Sequence, residues 1–295
     1  MFSTNGNFNG AILWETESEE HLSFDRVICS VNEALIEIPS ELKLLIEGIK
    51  AERPELHDNL ILRLAEEDIC FENGYLRLNL GVTSYFRYQA SKCAPLIYTN
   101  KVISMQVAGE TCVFSRQDED SYLIFSLRNS KRGIDDFYRY HSCAGVCEFD
   151  SSRPVIHPHQ RAIVEVNEES GIPITDLKSL GISGIVSDGY FRRSAVLVKC
   201  ETEQQLDRYF EIEPGSSILH PKFKTDEEVN LTALKWKPDR VKAFLLGQDS
   251  AYPFPLVRTF WLHVLIEGGK SFGIDWRREV EEKYKKLFEL MRQKI

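Results

Sequence analysis

The chain lacks any uninterrupted apolar run near the roughly 18 residues that a membrane-crossing helix requires, so no helical membrane span is expected. Its opening, MFSTNGNFNGAILWETESEE, has no basic stretch followed by a long apolar core, and a secretory signal is not expected either. Cysteine is sparse and unpaired in pattern: seven residues, at 29, 70, 93, 112, 143, 147 and 200, form no CxxC. An odd, scattered set predicts buried thiols in a reducing, cytoplasmic compartment, not a disulfide framework. Basic charge is in deficit, with 36 Lys and Arg against 45 Asp and Glu and a formal charge of −9. That balance argues against general binding to nucleic acid or an anionic membrane. There is no internal repeat, low-complexity tract or long linker. What remains, 43% hydrophobic and 27% charged over 295 residues, is the composition of a soluble globular protein with ample core.

Apolar periodicity divides the chain into three regions. Residues 1–98 read as a mixed α/β unit. AILWE, RVICSV and ALIEI have strand content, and PSELKLLIEGIKAER carries Leu42, Leu45, Ile46 and Ile49 at helical spacing. YLRLNLGVTSYF alternates like a strand. Residues 99–240 begin with KVISMQVAG, TCVFSRQ and YLIFSLRNS, read as three strands divided by the turn sequences GE and DEDS. A helix follows near 158–170, then two apolar runs around SDG. Residues 241–295 turn helical, with PLVRTFWLHVLIEGG expected to stop at Gly268 and Gly269. The last helix is expected to open at Asp275 and to carry Trp276, Val280, Tyr284, Leu287, Phe288, Met291 and Ile295 on one stripe. That stripe packs on the chain's own core or, alternatively, forms a homodimer contact. The class expected is α+β, a mixed sheet packed against helices.

The segment RAIVEVNEESGIP, residues 161–173, poses a local problem. Pro158 suits the first helical turn, Gly171 the position past the end, and Pro173 blocks continuation. Ala162, Ile163 and Val166 then share the arc facing the sheet, and Glu165, Glu168 and Glu169 gather in a neighbouring arc of about 100°. Each like-charged pair costs a few tenths of a kcal/mol, and the helix dipole disfavours negative charge in the last turns. Either these glutamates form a solvated face, or a hard cation such as Mg²⁺ or Mn²⁺ reverses the cost.

VEVNEESGI, residues 164–172, resembles the second half of the Nudix box: Arg-Glu-apolar-x-Glu-Glu-x-Gly-apolar, preceded by a glycine, five residues, a glutamate and seven more residues. Glu165, Val166, Glu168, Glu169, Gly171 and Ile172 occupy matching places. The resemblance covers residues 99–240. LRLNLGVTSYFRYQAS, residues 76–91, is also similar to a stretch preceding the Nudix fold in some larger relatives. The sequence departs from the pattern at Val164, where the family has an arginine that holds a helix glutamate, and Arg161 lies one turn away as a partial substitute. The places of the upstream glycine and glutamate fall on Asp150 and Ile156. Gly145 and Glu148 are their counterparts only with a longer loop.

The resemblance implies a Nudix-type α/β/α sandwich with an N-terminal α/β region and a C-terminal helical extension. It implies a hydrolase that uses Mg²⁺ or Mn²⁺ to cleave a diphosphate linkage in a nucleotide-like substrate. Glu165, Glu168 and Glu169 would be metal ligands, with Glu165 and Glu168 in the catalytic roles and Glu168 also able to act as base. A base near Glu227 and Glu228 is a further option. Divalent ions would offset the charge growing on the phosphoryl oxygens. Arg128 would reach the phosphates, and Tyr138, Tyr140 or Trp236 would stack on a ring, unless these side chains serve the surface and the core instead. The alternative is a degenerate Nudix fold that binds a nucleotide-like ligand without cleaving it. His141, Cys143, Cys147, His157 and His159 lie close together but match no common zinc spacing.

Overall fold

The regular alternation of the strand sequences places one set of side chains on each face of a mixed sheet. In the computed structural model, residues 10–17, 20–35, 37–38, 40–55, 57–93, 106–129, 138–188, 193–212, 216–225 and 230–292 are described. The central path begins with β1 (Gly10–Glu15), β10 (Leu177–Asp188), β11 (Arg193–Gln205) and β6 (Gln106–Gln117). It continues through β7 (Asp120–Asn129), β14 (Asn230–Lys235), β13 (Ile218–Pro221) and β12 (Phe210–Ile212). Neighbours along it are antiparallel except β11 and β6, which run parallel. Two short strands lie against the middle, β8 (Tyr138–His141) on β7 and β9 (Cys143–Val146) on β6.

Helices cover both faces. α3 (Pro158–Ser170) packs on β6, β9 and β11, and α6 (Arg258–Phe272) packs on β10, β6 and β1. Consecutive residues of β6 divide between the layers: Val113 joins Val166 on the α3 side, while Cys112 and Phe114 join the core under α6. The class is therefore α+β, built as helix, mixed sheet and helix. α5 (Pro238–Leu245) and α7 (Ile274–Arg292) complete the α6 layer. Trp276 and Val280 of α7 are buried there and the Tyr284 ring lies tilted against Trp261, 4.7 Å between centroids, so this part of the terminal stripe packs within the chain. The side chains of Phe288, Met291 and Ile295 fall outside the described residues.

The N-terminal region contributes β2 (Val27–Asn32), β3 (Leu60–Arg63), β4 (Ile69–Glu72) and β5 (Tyr75–Ser84). β5 pairs with the other three, and Arg63 of β3 meets Gln106 at the start of β6. α1 (Ser40–Glu52) packs on α2 (Tyr85–Cys93). One core joins Leu62, Leu76 and Leu80 to Val107, Ala162 and Ile182, so apolar packing runs across the position-98 boundary. It also runs across position 240, because Leu123 and Phe125 pack with Phe244 and Phe260.

Several sequence expectations are corrected. The described residues of ALIEI, 34–35 and 37–38, form no strand. The GE pair at 109–110 is not a turn, and β6 runs straight through it. Gly109 is there for another reason: a Cβ would collide with the Pro158 carbonyl and the Ala162 backbone, so glycine lets α3 seat on the strand. Gly268 and Gly269 do not stop α6, which continues to Phe272 and ends at Gly273. A Cβ at Gly268 would strike the Trp276 ring, so this glycine serves the α6–α7 contact. α7 starts one residue earlier than the Asp275 cap expected.

Candidate functional site

α3 forms where its sequence directs. Pro158 opens it, the Gln160 Oε1 accepts a hydrogen bond from the His157 backbone N–H at 3.1 Å, and Gly171 closes it in the left-handed region at φ 73°. Ala162 and Val166 are fully buried against the sheet. The Thr111 hydroxyl of β6 donates to the Ala162 carbonyl at 2.6 Å, tying helix to strand. Gly145 of β9 brings that strand so close that any side chain there would collide with the Glu165 carboxylate.

The three glutamates do not form a solvated face. Glu165 is 3% exposed and Glu169 is 0% exposed, while Glu168 is half-buried. Burying carboxylates without compensation is costly, and the compensation comes from two arginines. Arg161 ion-pairs with Glu165 one turn on and with Glu168 at 2.9 Å. Arg128 of β7 ion-pairs with Glu169, whose Oε1 also accepts the Ala144 N–H at 3.2 Å. Glu169 Oε2 is left without a hydrogen-bond partner. The cation that offsets this acidic arc is thus guanidinium, supplied by the chain itself.

This bears on the divalent metal that the resemblance implied. Among the described residues, no three His, Cys, Asp or Glu side chains converge as a metal-holding group. A dication brought to Glu165 and Glu169 would meet the positive charge already seated on their oxygens. As placed, these residues do not fit Mg²⁺ or Mn²⁺ unless both arginines move away.

The other sequence candidates separate clearly. Arg128 faces Glu169, where it had been expected to reach toward a phosphate. Tyr140 is 4% exposed and packs edge-on against Phe125 and Tyr252, so its ring is committed to the core and is not open for stacking on a ligand. Tyr138 is exposed, with its ring 5.5 Å from that of Phe254. Trp236 lies edge-on to Phe114 at the margin of the α6 core. Glu227 and Glu228 lie outside the described residues. His157 and His159 stack on each other at the start of α3, and His159 also meets Phe24. Glu148, the stand-in for the upstream glutamate, is exposed and bridges to Ile61.

Register reveals a cationic group that sequence reading missed. Arg128 and Arg139 stand directly opposite each other across β7 and β8, and His141 follows two residues later on the same face. Like charges in that position repel. Burial pushes the His141 imidazole well below its usual range, and Arg128, Arg193 and Arg139 push it further. These groups are scattered over 66 positions of sequence, and only strand pairing brings them to one end of the sheet. Beside the far end of α3, where Gly171 meets Phe223, a shallow cavity of about 530 Å³ is lined by Gln204, Gln205, Asp207, Arg208, Lys222 and Phe223.

The chain matches no protein-family model and no curated protein. Solved structures to which it is similar include Nudix proteins. The NUDIX domain of Shewanella oneidensis NrtR, complexed with ADP ribose, is 13% identical over 59% of this chain and 93% of that one, with a TM-score of 0.33. An ADP compounds hydrolase is 16% identical over 68% of this chain and 83% of the other, at a TM-score of 0.32. A MutT/nudix family protein from Enterococcus faecalis is 11% identical, at a TM-score of 0.28, and the match spans 48% of this chain and less than half, 46%, of that protein. These likenesses are too loose to carry residues or activity across to this chain.

Proposed function

We propose that the chain is a Nudix-type module that recognises a nucleotide-like diphosphate ligand and, in the state seen here, does not cleave it. The observation that carries this reading is the pairing of the α3 carboxylates with arginines: Arg161 on Glu165 and Glu168, and Arg128 on Glu169. Metal-assisted hydrolysis needs carboxylate oxygens turned toward a dication. Recognition of a diphosphate needs guanidinium groups, and Arg128 and Arg139 stand opposite each other across β7 and β8 at one end of the sheet. ADP-ribose, the ligand named for the NrtR domain, is a suitable probe.

The test combines calorimetric titration of ADP-ribose with a chromatographic screen for its cleavage to AMP and ribose 5-phosphate in Mg²⁺ and in Mn²⁺. Saturable binding that is weakened by Arg139→Ala, with no turnover in either metal, is the expected result. Turnover abolished by Glu165→Gln and by Glu169→Gln would overturn it in favour of a hydrolase. One observation favours that second reading: Glu169 Oε2 is a buried carboxylate oxygen without a hydrogen-bond partner. In it, the arginines swing aside, Glu165, Glu168 and Glu169 hold Mg²⁺ or Mn²⁺, and the ion supplies charge neutralisation at the diphosphate.

A further inference from the structure

Where the resemblance placed a dication on Glu169, the chain places a guanidinium, and the two partners are buried to very different degrees. Glu169 is 0% exposed, while Arg128 keeps 28% of its side chain in solvent. The carboxylate therefore lies on the inner side of the pair, and a solute arriving from solvent meets the guanidinium. Glu169 is itself held from two sides. It stands in the last turn of α3, which Gly171 closes, and its Oε1 accepts the Ala144 backbone N–H of β9 at 3.2 Å as well as the bond from Arg128. A carboxylate fixed between a helix and a strand sets the position of the mobile side chain that pairs with it.

Arg128 turns one edge of its fork toward the protein. Its Nη2 donates to Glu169, and its Nε donates to the Ser126 hydroxyl two residues back on β7 at 3.4 Å. The guanidinium N–H donors lie in one rigid plane, so fixing the Nε–Nη2 edge fixes the direction of the rest. The N–H groups on Nη1 meet no acceptor among the described residues. A planar fork of this kind suits the oxygens of a phosphate. Arg139 stands directly opposite on β8. Like charges at that spacing repel, and Glu169 offsets this by neutralising one of the two, so that both guanidinium groups stay at this end of the sheet.

We infer that Glu169 is a positioning residue for ligand binding: it holds Arg128 as a resident cation where the resemblance placed a metal ion, and aims the open N–H groups of that guanidinium at the diphosphate of a nucleotide-like ligand. Binding then needs no divalent ion. This rests on the module reading above and gives the most deeply buried of the three glutamates a part in it.

The test is calorimetric titration of the full chain with ADP-ribose, in EDTA and in Mg²⁺, for the wild type, Glu169→Gln, Arg128→Ala and the double variant. Glutamine keeps the shape of glutamate and still accepts the Ala144 N–H, so the charge is removed with little change to the fold. The wild type should bind no more weakly in EDTA than in Mg²⁺. Glu169→Gln should bind about tenfold more weakly, the loss expected for one well-placed charge-assisted hydrogen bond. The same change should cost nothing further once Arg128 is gone. A role confined to seating α3 would weaken both backgrounds alike, so the second comparison separates positioning from structure. If Arg128→Ala fails to fold, Arg128→Lys, which keeps the charge and loses the fork, takes its place, and the loss from Glu169→Gln should be smaller there than in the wild type. Unchanged or tighter binding by Glu169→Gln, an equal loss in both backgrounds, or binding lost in EDTA and restored by Mg²⁺ overturns this inference alone. No binding in either condition overturns the module reading and this inference together.

Discussion

At the scale of single residues, the arginine–glutamate pairs decide the chemistry of α3. Arg128→Ala leaves Glu169 buried without its cation, and breaking one side of such a pair costs on the order of 3–5 kcal/mol. Urea unfolding at neutral pH should show a loss at the lower end of that range, because Arg128 keeps 28% of its side chain in solvent. Mn²⁺ should restore part of the lost stability in an Arg128→Ala/Arg161→Ala double variant and leave the wild type unmoved, since only the variant has bare carboxylates. Equal stabilisation of both proteins by Mn²⁺ would show that the arginines do not block a metal. Gly145 sets a second residue-scale limit. Gly145→Ala drives a methyl group into the Glu165 carboxylate, and overpacking of this kind costs about 1–3 kcal/mol.

At the scale of elements, the attachment of α3 to β6 combines a glycine with one hydroxyl. Thr111→Val removes the hydrogen bond to the Ala162 carbonyl while keeping side-chain shape. The expected loss is about 1–3 kcal/mol, because a buried acceptor loses its side-chain donor. Hydrogen exchange should quicken in α3 and not in α6, whose contacts lie on the other face. How legible an element was depended on whether its signals were local. α3 was readable to its ends, since Pro158 and Gly171 act on their own backbone. The GE and GG pairs misled because glycine serves turns and close packing alike. Gly109 and Gly268 are glycines for what approaches them, α3 and Trp276, and neither neighbour is adjacent in sequence.

At the scale of the whole molecule, buried histidines link stability to pH. Burial lowers His263 and His159 to about 4, against about 6.5 in an unfolded chain. Between those values the unfolded state binds more protons, so stability rises with pH. This contribution is full above about pH 6.5 and is lost as pH falls toward 4. Glu267, lowered to about 2, adds loss of the same sign at lower pH, below the unfolded value of about 4.3. Denaturant midpoints measured from pH 7 to 4.5 should fall steadily, and the slope should be shallower in His263→Gln. A midpoint flat over that range would contradict the burial of both imidazoles.

By itself the sequence determined the α+β composition, most of the strands, the limits of α3 and the grouping of three glutamates on one arc, because each follows from local periodicity or a neighbour's backbone preference. The tertiary structure decided what those glutamates meet. Arg128 comes from a strand 41 positions away from Glu169, and no spacing rule connects them. Burial settled the rest: Tyr140 went to the core. The energy of a charge or a ring depends on what surrounds it in space, and that is set by strand register and packing.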